Sequence, residues 1–152
     1  MPKQWIEDIN EVQALFERAL VGYMAMCRHN EPYAVPLSFV FHNGKIYFHS
    51  ALTGQKLDYL AANARVCFVV HELDEVYQGT NACNTGIRYH SAMAFGQAQI
   101  ITDHTHKLEA LNLLVAKYSP GRQVTTNDLS RTAVVEIVVE RMTGKRNVAR
   151  QD

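Results

Sequence analysis

The pair Asn43–Gly44 stands between two runs rich in β-branched and aromatic residues, YAVPLSFVF and KIYFHS. Asn-Gly in that position is the strongest short-range signal for a β-hairpin. Similar runs recur along the chain: LVGYMAMCR before the hairpin, then RVCFVVHE, IRYHSAMAFGQAQII and TAVVEIVVERM after it. Most links between these runs are hairpins or short connectors, and regular crossover helices are missing. A doubly wound parallel sheet is therefore excluded, and a mainly β (α+β) fold is expected: about six antiparallel strands closing a barrel, with helices outside. Pro36 cannot donate to a ladder and marks an edge or a bulge, and Gly96 inside the longest run marks a bulge or bend.

Helical periodicity appears in three places. In DINEVQALFERA, the residues Ile9, Val12, Leu15 and Phe16 form one face, with Asp8 or Asn10 as cap. GQKLDYLAANA puts Leu57, Leu60 and Ala61 together, and DHTHKLEALNLLVAKY starts at Asp103 with Leu108, Leu111 and Val115 as its stripe. SPGRQVTTNDLSR reads as a connector with one helical turn near Asp128, Leu73 to Gly86 as a loop, and TGKRNVARQD as a polar tail. Residues 1–152 read as a single domain, a length that buries roughly 68–70% of the unfolded surface.

Charge narrows the function. Lys plus Arg and Asp plus Glu each number 15, so there is no basic excess of the kind a nucleic-acid surface needs. A near-neutral chain has little colloidal repulsion, which suits an oligomer. No apolar run approaches the ~20 residues of a membrane span. The acidic residues in MPKQWIEDINEV stand where a signal peptide needs an apolar core, so the expected location is the cytoplasm. The cysteines Cys27, Cys67 and Cys83 are scattered and odd in number, which is no disulfide framework and no zinc motif. Cys27 and Cys67, inside apolar runs, are expected to be buried. His104 and His106, two apart on a helix, cannot chelate together, and no carboxylate accompanies His49 and His71 at a diagnostic spacing, so no metal is expected. The elbow of serine hydrolases and the glycine fingerprint of dinucleotide folds are both absent.

The junction HSALTGQK carries the sharpest chemical signal. A strand giving way to a helix leaves amides unpaired at a locally positive end, where anions settle. Gly54 permits close approach, Ser50 and Thr53 offer hydroxyls, and Lys56 brings a charge. That is a phosphate seat; the alternative is a capped helix with an exposed lysine.

The blocks YAVPLSFVFHNGKIYFHSALTGQKLDYLAANARVCFVV, YHSAMAFGQAQII and TGK together resemble the flavin-binding split barrels related to pyridoxamine 5′-phosphate oxidase, in the branch grouped with 5-nitroimidazole-resistance proteins. The resemblance implies a six-stranded antiparallel split β-barrel, a homodimer, and FMN in a cleft between the subunits. It places Val35, Pro36, Leu37 and Ser38 beneath the flavin ring, and His49, Ser50 and Ala51 along the ring and ribityl chain. It puts Lys56 on the phosphate, and Ser91 and Lys145 at further cofactor contacts. His49 matches the family histidine closest to the flavin and is the candidate catalytic proton donor. The implied activity is reduction of a small organic acceptor, such as a nitroaromatic. A non-catalytic flavin store or sensor and a haem-binding barrel, served by one of the seven histidines, are the alternatives. Gln55 replaces a second cation of the oxidase proper, and Val148 stands where several relatives carry tryptophan. The oxidase's C-terminal Arg and His pattern is also missing, so oxidation of pyridoxamine phosphate is not implied.

Overall fold

A computed structural model describes residues 3–148. It contains one antiparallel sheet of eight strands, not six, with four α-helices around it. The strands are β1 (Lys3–Ile6), β2 (Gly22–Arg28), β3 (Glu31–Leu37), β4 (Val40–His42), β5 (Lys45–Ser50), β6 (Arg65–Tyr77), β7 (Gly86–Ile100) and β8 (Ala133–Asn147). The helices are α1 (Ile9–Arg18), α2 (Gln55–Ala62), α3 (His104–Tyr118) and α4 (Thr126–Arg131).

Two local events account for the extra strands. The run YAVPLSFVF is not one strand: it breaks at Ser38–Phe39 into β3 and β4, which lie at opposite ends of the order β3-β2-β6-β7-β8-β5-β4. One bent segment thus supplies both edges of the sheet, and the split barrel is drawn together through its own covalent chain. Pro36 sits on β3, an edge, where its missing N–H costs no ladder bond on the open side. The other addition is β1, which pairs with β8 from Lys3↔Asn147 to Ile6↔Gly144. The expected polar tail is therefore strand as far as Asn147, which is buried; its last four residues lie outside the described ones. The expected loop from Leu73 to Gly86 is likewise shorter, because β6 and β7 stay paired out to Tyr77↔Gly86.

The hairpin is as expected, with Asn43 (φ 49°) and Gly44 (φ 74°) both in the left-handed region that a tight primed turn requires. At Gly96 the register of β7 against β8 shifts, and a Cβ there would stand 2.1 Å from the Val138 carbonyl oxygen. The bulge exists because two backbones touch.

The main core fills the barrel with Phe16, Met24, Phe39, Phe48, Phe68 and Ile137, none more than 1% exposed. A second cluster lies on the other face of β5 and β8, where α3 packs Ala110, Leu111 and Leu114 over Val40, Tyr47 and Val134. The buried stripe of α3 is thus rotated from the expected one, with Leu108 and Val115 only half-buried. Ile9 is exposed on α1, whose buried face is Val12, Leu15 and Phe16. Cys27 is exposed and Cys67 half-buried, because their strands turn these positions outward.

Candidate functional site

At the end of β5 the alternation of side chains decides what each residue can reach. Ile46 and Phe48 point into the barrel core, and Ser50 shares their face. Tyr47 and His49 point the other way, toward α3. His49 and Ser50 are therefore neighbours in sequence on opposite sides of the sheet, and Ala51 follows them onto the exposed surface.

The backbone then turns through an exposed stretch to Gly54, the N-cap of α2. Gly54 has φ 151°, a conformation in which a side chain would be strained. No side chain caps this helix start, whereas Asp8, Asp103 and Thr125 cap α1, α3 and α4. The leading amides of α2 are thus left to an external acceptor or to water. Lys56 stands in the first turn, half-buried, its Nζ 5.9 Å from the centre of the Phe48 ring. Ser50 Oγ donates to the Ala51 carbonyl at 2.8 Å, so the hydroxyl lone pairs remain free.

Ser38 and His49 line one cleft of about 350 Å³, although 11 positions separate them in the chain. The bend between β3 and β4 exposes Ser38 at the point where β5 ends. The lining is completed by the last turns of α3, the connector and α4, through Leu114, Tyr118, Arg122 and Asp128. The bend is pinned by α3: Tyr118 Oη receives the Phe39 N–H at 2.9 Å and donates toward the Phe39 and Leu20 carbonyls. Lys117 Nζ donates to the Phe39 and Ala19 carbonyls, and burial pushes its ammonium down to about 8.

Ser91 and Lys145 are brought together on the outer face of the sheet. They are Cα partners between β7 and β8, and Ser91 Oγ donates to the Lys145 carbonyl at 3.3 Å. His71 and Trp5 flank them in the same cross-strand row. Val35 and Leu37 turn toward the core, while Pro36 and Ser38 face outward along an edge strand whose second side is unpaired. The expected contact residues therefore occupy three separate places on one protomer.

The chain matches, over residues 8–146, the sequence profile described as Pyridoxamine 5′-phosphate oxidase. It belongs to the pyridoxamine 5′-phosphate oxidase family.

The chain is also similar to other proteins. An uncharacterised protein of Rhizobium meliloti (strain 1021) is 27% identical over 114 residues, 73% of this chain and 71% of its own length. A structure described as a candidate 5-nitroimidazole antibiotic resistance protein from Bacteroides thetaiotaomicron is 28% identical, with a TM-score of 0.82 over 95% of this chain and 87% of its own. An FAD and heme binding protein from Mycobacterium smegmatis shares the oxidase-family fold at 22% identity, with a TM-score of 0.87 over 97% of this chain and 75% of its own. An FAD-binding protein from Mesorhizobium loti is 21% identical, with a TM-score of 0.73 over 97% of this chain and its full length.

Sequence reading gave no site role to Tyr118, Arg122 or Asp128, which lie in or beside a segment read as a connector with one helical turn near Asp128. It also missed Glu136, a carboxylate only 2% exposed in the middle of an apolar strand. The one signal was Glu136 itself, a charge interrupting AVVEIVV. Among the described residues no group of three metal-ligating side chains converges, and no helix is long and apolar enough to cross a membrane.

Proposed function

We propose that this chain is a cytoplasmic, homodimeric FMN-binding flavoprotein that reduces a small organic acceptor, with nitroaromatics as the leading class. The observation that carries the flavin reading is the start of α2: an uncapped helix end behind a positive-φ glycine, with Lys56 in its first turn. In a member of the oxidase family, that cradle suits the phosphate of a flavin nucleotide, because amides and ammonium can all donate to one anion. The flavins named for the Mycobacterium and Mesorhizobium structures support the same ligand class on this fold.

Bound flavin supplies the redox chemistry; the protein's part is to hold it, orient it and limit access. Ser38 and the free edge of β3 offer polar groups to the ring, and Ser50 a hydroxyl to the ribityl chain. His49, which lines the cleft, is the candidate to pass a proton to the acceptor.

The outer face of the sheet supports the dimer. Tyr23, Val69, Met93 and Thr143 form one cross-strand row there, next to the row of His71, Ser91, Lys145 and Trp5. Tyr23, Met93, Leu73 and Trp5 are between 40% and 66% exposed, an apolar patch that monomers seldom leave uncovered. Ser91 and Lys145 lie within it, apart from Lys56. A cofactor site shared between two chains would reunite groups that a single protomer keeps apart.

The test is a titration with FMN. Freshly purified protein should give a two-band flavin spectrum, whereas a Soret peak would favour the haem alternative. Lys56→Ala should weaken FMN binding by on the order of tenfold or more, the worth of a charge-assisted phosphate contact. Equal affinity in the variant would remove the proposal.

A further inference from the structure

The cleft beneath the C-terminal half of α3 has a shape and a charge that point to its occupant. At about 350 Å³ it sits at the small end of ligand pockets. A dry cavity of roughly 150 Å³ suffices for benzene, so one substituted ring, or two fused ones, fill this volume. Leu111, Leu114 and Val115 give it an apolar wall, and Ser38 and His49 line it as well. Arg122 lines the far end. Its guanidinium makes no hydrogen bond among the described residues, and its backbone amide donates to the Ser119 carbonyl. Asp128 lines the same end, but its carboxylate is engaged in the α4 capping box, accepting from the Thr125 amide at 2.8 Å. Among the described residues, Arg122 is the one permanently cationic group in the lining, with Asp128 close enough to feel its charge.

We infer that this cleft seats the acceptor and that Arg122 selects flat, single-ring or fused-ring aromatics bearing an anionic group, a nitrobenzoate being the simplest example. The inference rests on the flavin reading only for the term acceptor; the selectivity for ring and anion rests on the cleft itself. A planar guanidinium is suited to this task because it can meet both oxygens of a carboxylate at once.

The experiment measures equilibrium binding of 4-nitrobenzoate and of uncharged 4-nitrobenzamide to the full chain, with and without FMN, from the NMR shifts of the Leu114 and Val115 methyls. Wild type should bind the benzoate more tightly. Arg122→Gln should abolish that preference, weakening the benzoate by on the order of tenfold and leaving the amide nearly unchanged. Ser119→Trp, an exposed position at the rim, should weaken both by obstruction. Neither variant should alter the FMN titration. Preference for the benzoate that survives Arg122→Gln, or methyls unmoved by either probe, overturns the inference even if FMN binds. Loss of the preference in Arg122→Gln without any FMN binding upholds the cleft while the flavin reading falls.

Discussion

The carboxylate of Glu136, 2% exposed, lies 2.8 Å from Nε2 of His106 and bolts α3 to the sheet. Gln99 Nε2 donates to its other oxygen at 2.8 Å, and Lys45 Nζ stands 3.7 Å away. Burial pushes the Glu136 carboxyl up, but the donors Gln99 and Tyr47 and the charges of Lys45 and His106 outweigh it and hold the group below its ordinary value of 4.5. His106→Ala removes the imidazole beside Oε2, a buried oxygen with no hydrogen-bond partner among the described residues. We expect a loss of about 1–3 kcal/mol in urea unfolding, the scale for leaving a buried polar group uncompensated. The pH sense is fixed too. A carboxyl whose folded value is depressed contributes fully above 4.5, and the contribution fades as pH drops through the folded value. Glu136→Gln should therefore flatten the acid limb of the stability profile.

Lys117 gives a slope of the same sign at alkaline pH, for a different reason. Burial lowers its ammonium from 10.5 to about 8, so between those limits the unfolded chain holds more protons than the folded one. Stability should rise with pH across that window. An NMR titration of the Lys117 side chain should show a midpoint near 8, and Lys117→Met should remove the alkaline rise. A midpoint at the ordinary lysine value would mean that the Ala19 and Phe39 carbonyls see a solvated ammonium.

Gly96→Ala probes the bulge. The new methyl would meet the Val138 carbonyl oxygen at 2.1 Å, and backbone cannot swing away as a side-chain tip can. Destabilisation of about 1–3 kcal/mol is expected from overpacking, read as a fall in melting temperature. An unchanged melting temperature would show that β7 and β8 separate freely at this point.

His49→Ala separates binding from turnover. The imidazole lines the cleft and the Lys56 cradle lies on the other side of the strand, so FMN should bind the variant nearly as wild type does. Turnover of a nitroaromatic acceptor should drop by about 10²-fold, the lower range for a positioned proton donor. Turnover equal to wild type would remove His49 from the chemistry.

Met93→Glu tests the shared interface. Met93 is 40% exposed at the centre of the apolar row on the outer face, and a charge there is costly only if a second copy covers it. Light scattering should report a dimer for wild type and a shift toward monomer for the variant, together with weaker FMN binding. A wild-type monomer at micromolar concentration would refute the assembly.

What the sequence determined by itself is what is settled within a few residues. The Asn43–Gly44 turn, the Asp8 and Asp103 caps, the helical turn at Asp128 and the uncapped α2 start at Gly54 all depend on short-range geometry, and each lies where the residues imply. Only the tertiary structure decided the rest. The split of residues 31–42 into two edges arises because Val35 pairs with Met24 while Val40 pairs with Tyr47, and no local pattern names those partners. Gly144 becomes strand because β1 and β7 flank it, though its composition reads as tail. The same holds for function: Ser50 and Lys56 are legible from one stretch, whereas the meeting of Ser38, His49 and Arg122 waits on α3 folding back across β5. Side chains that cooperate through neighbouring backbone are written in order along the chain, and those that cooperate through packing are not.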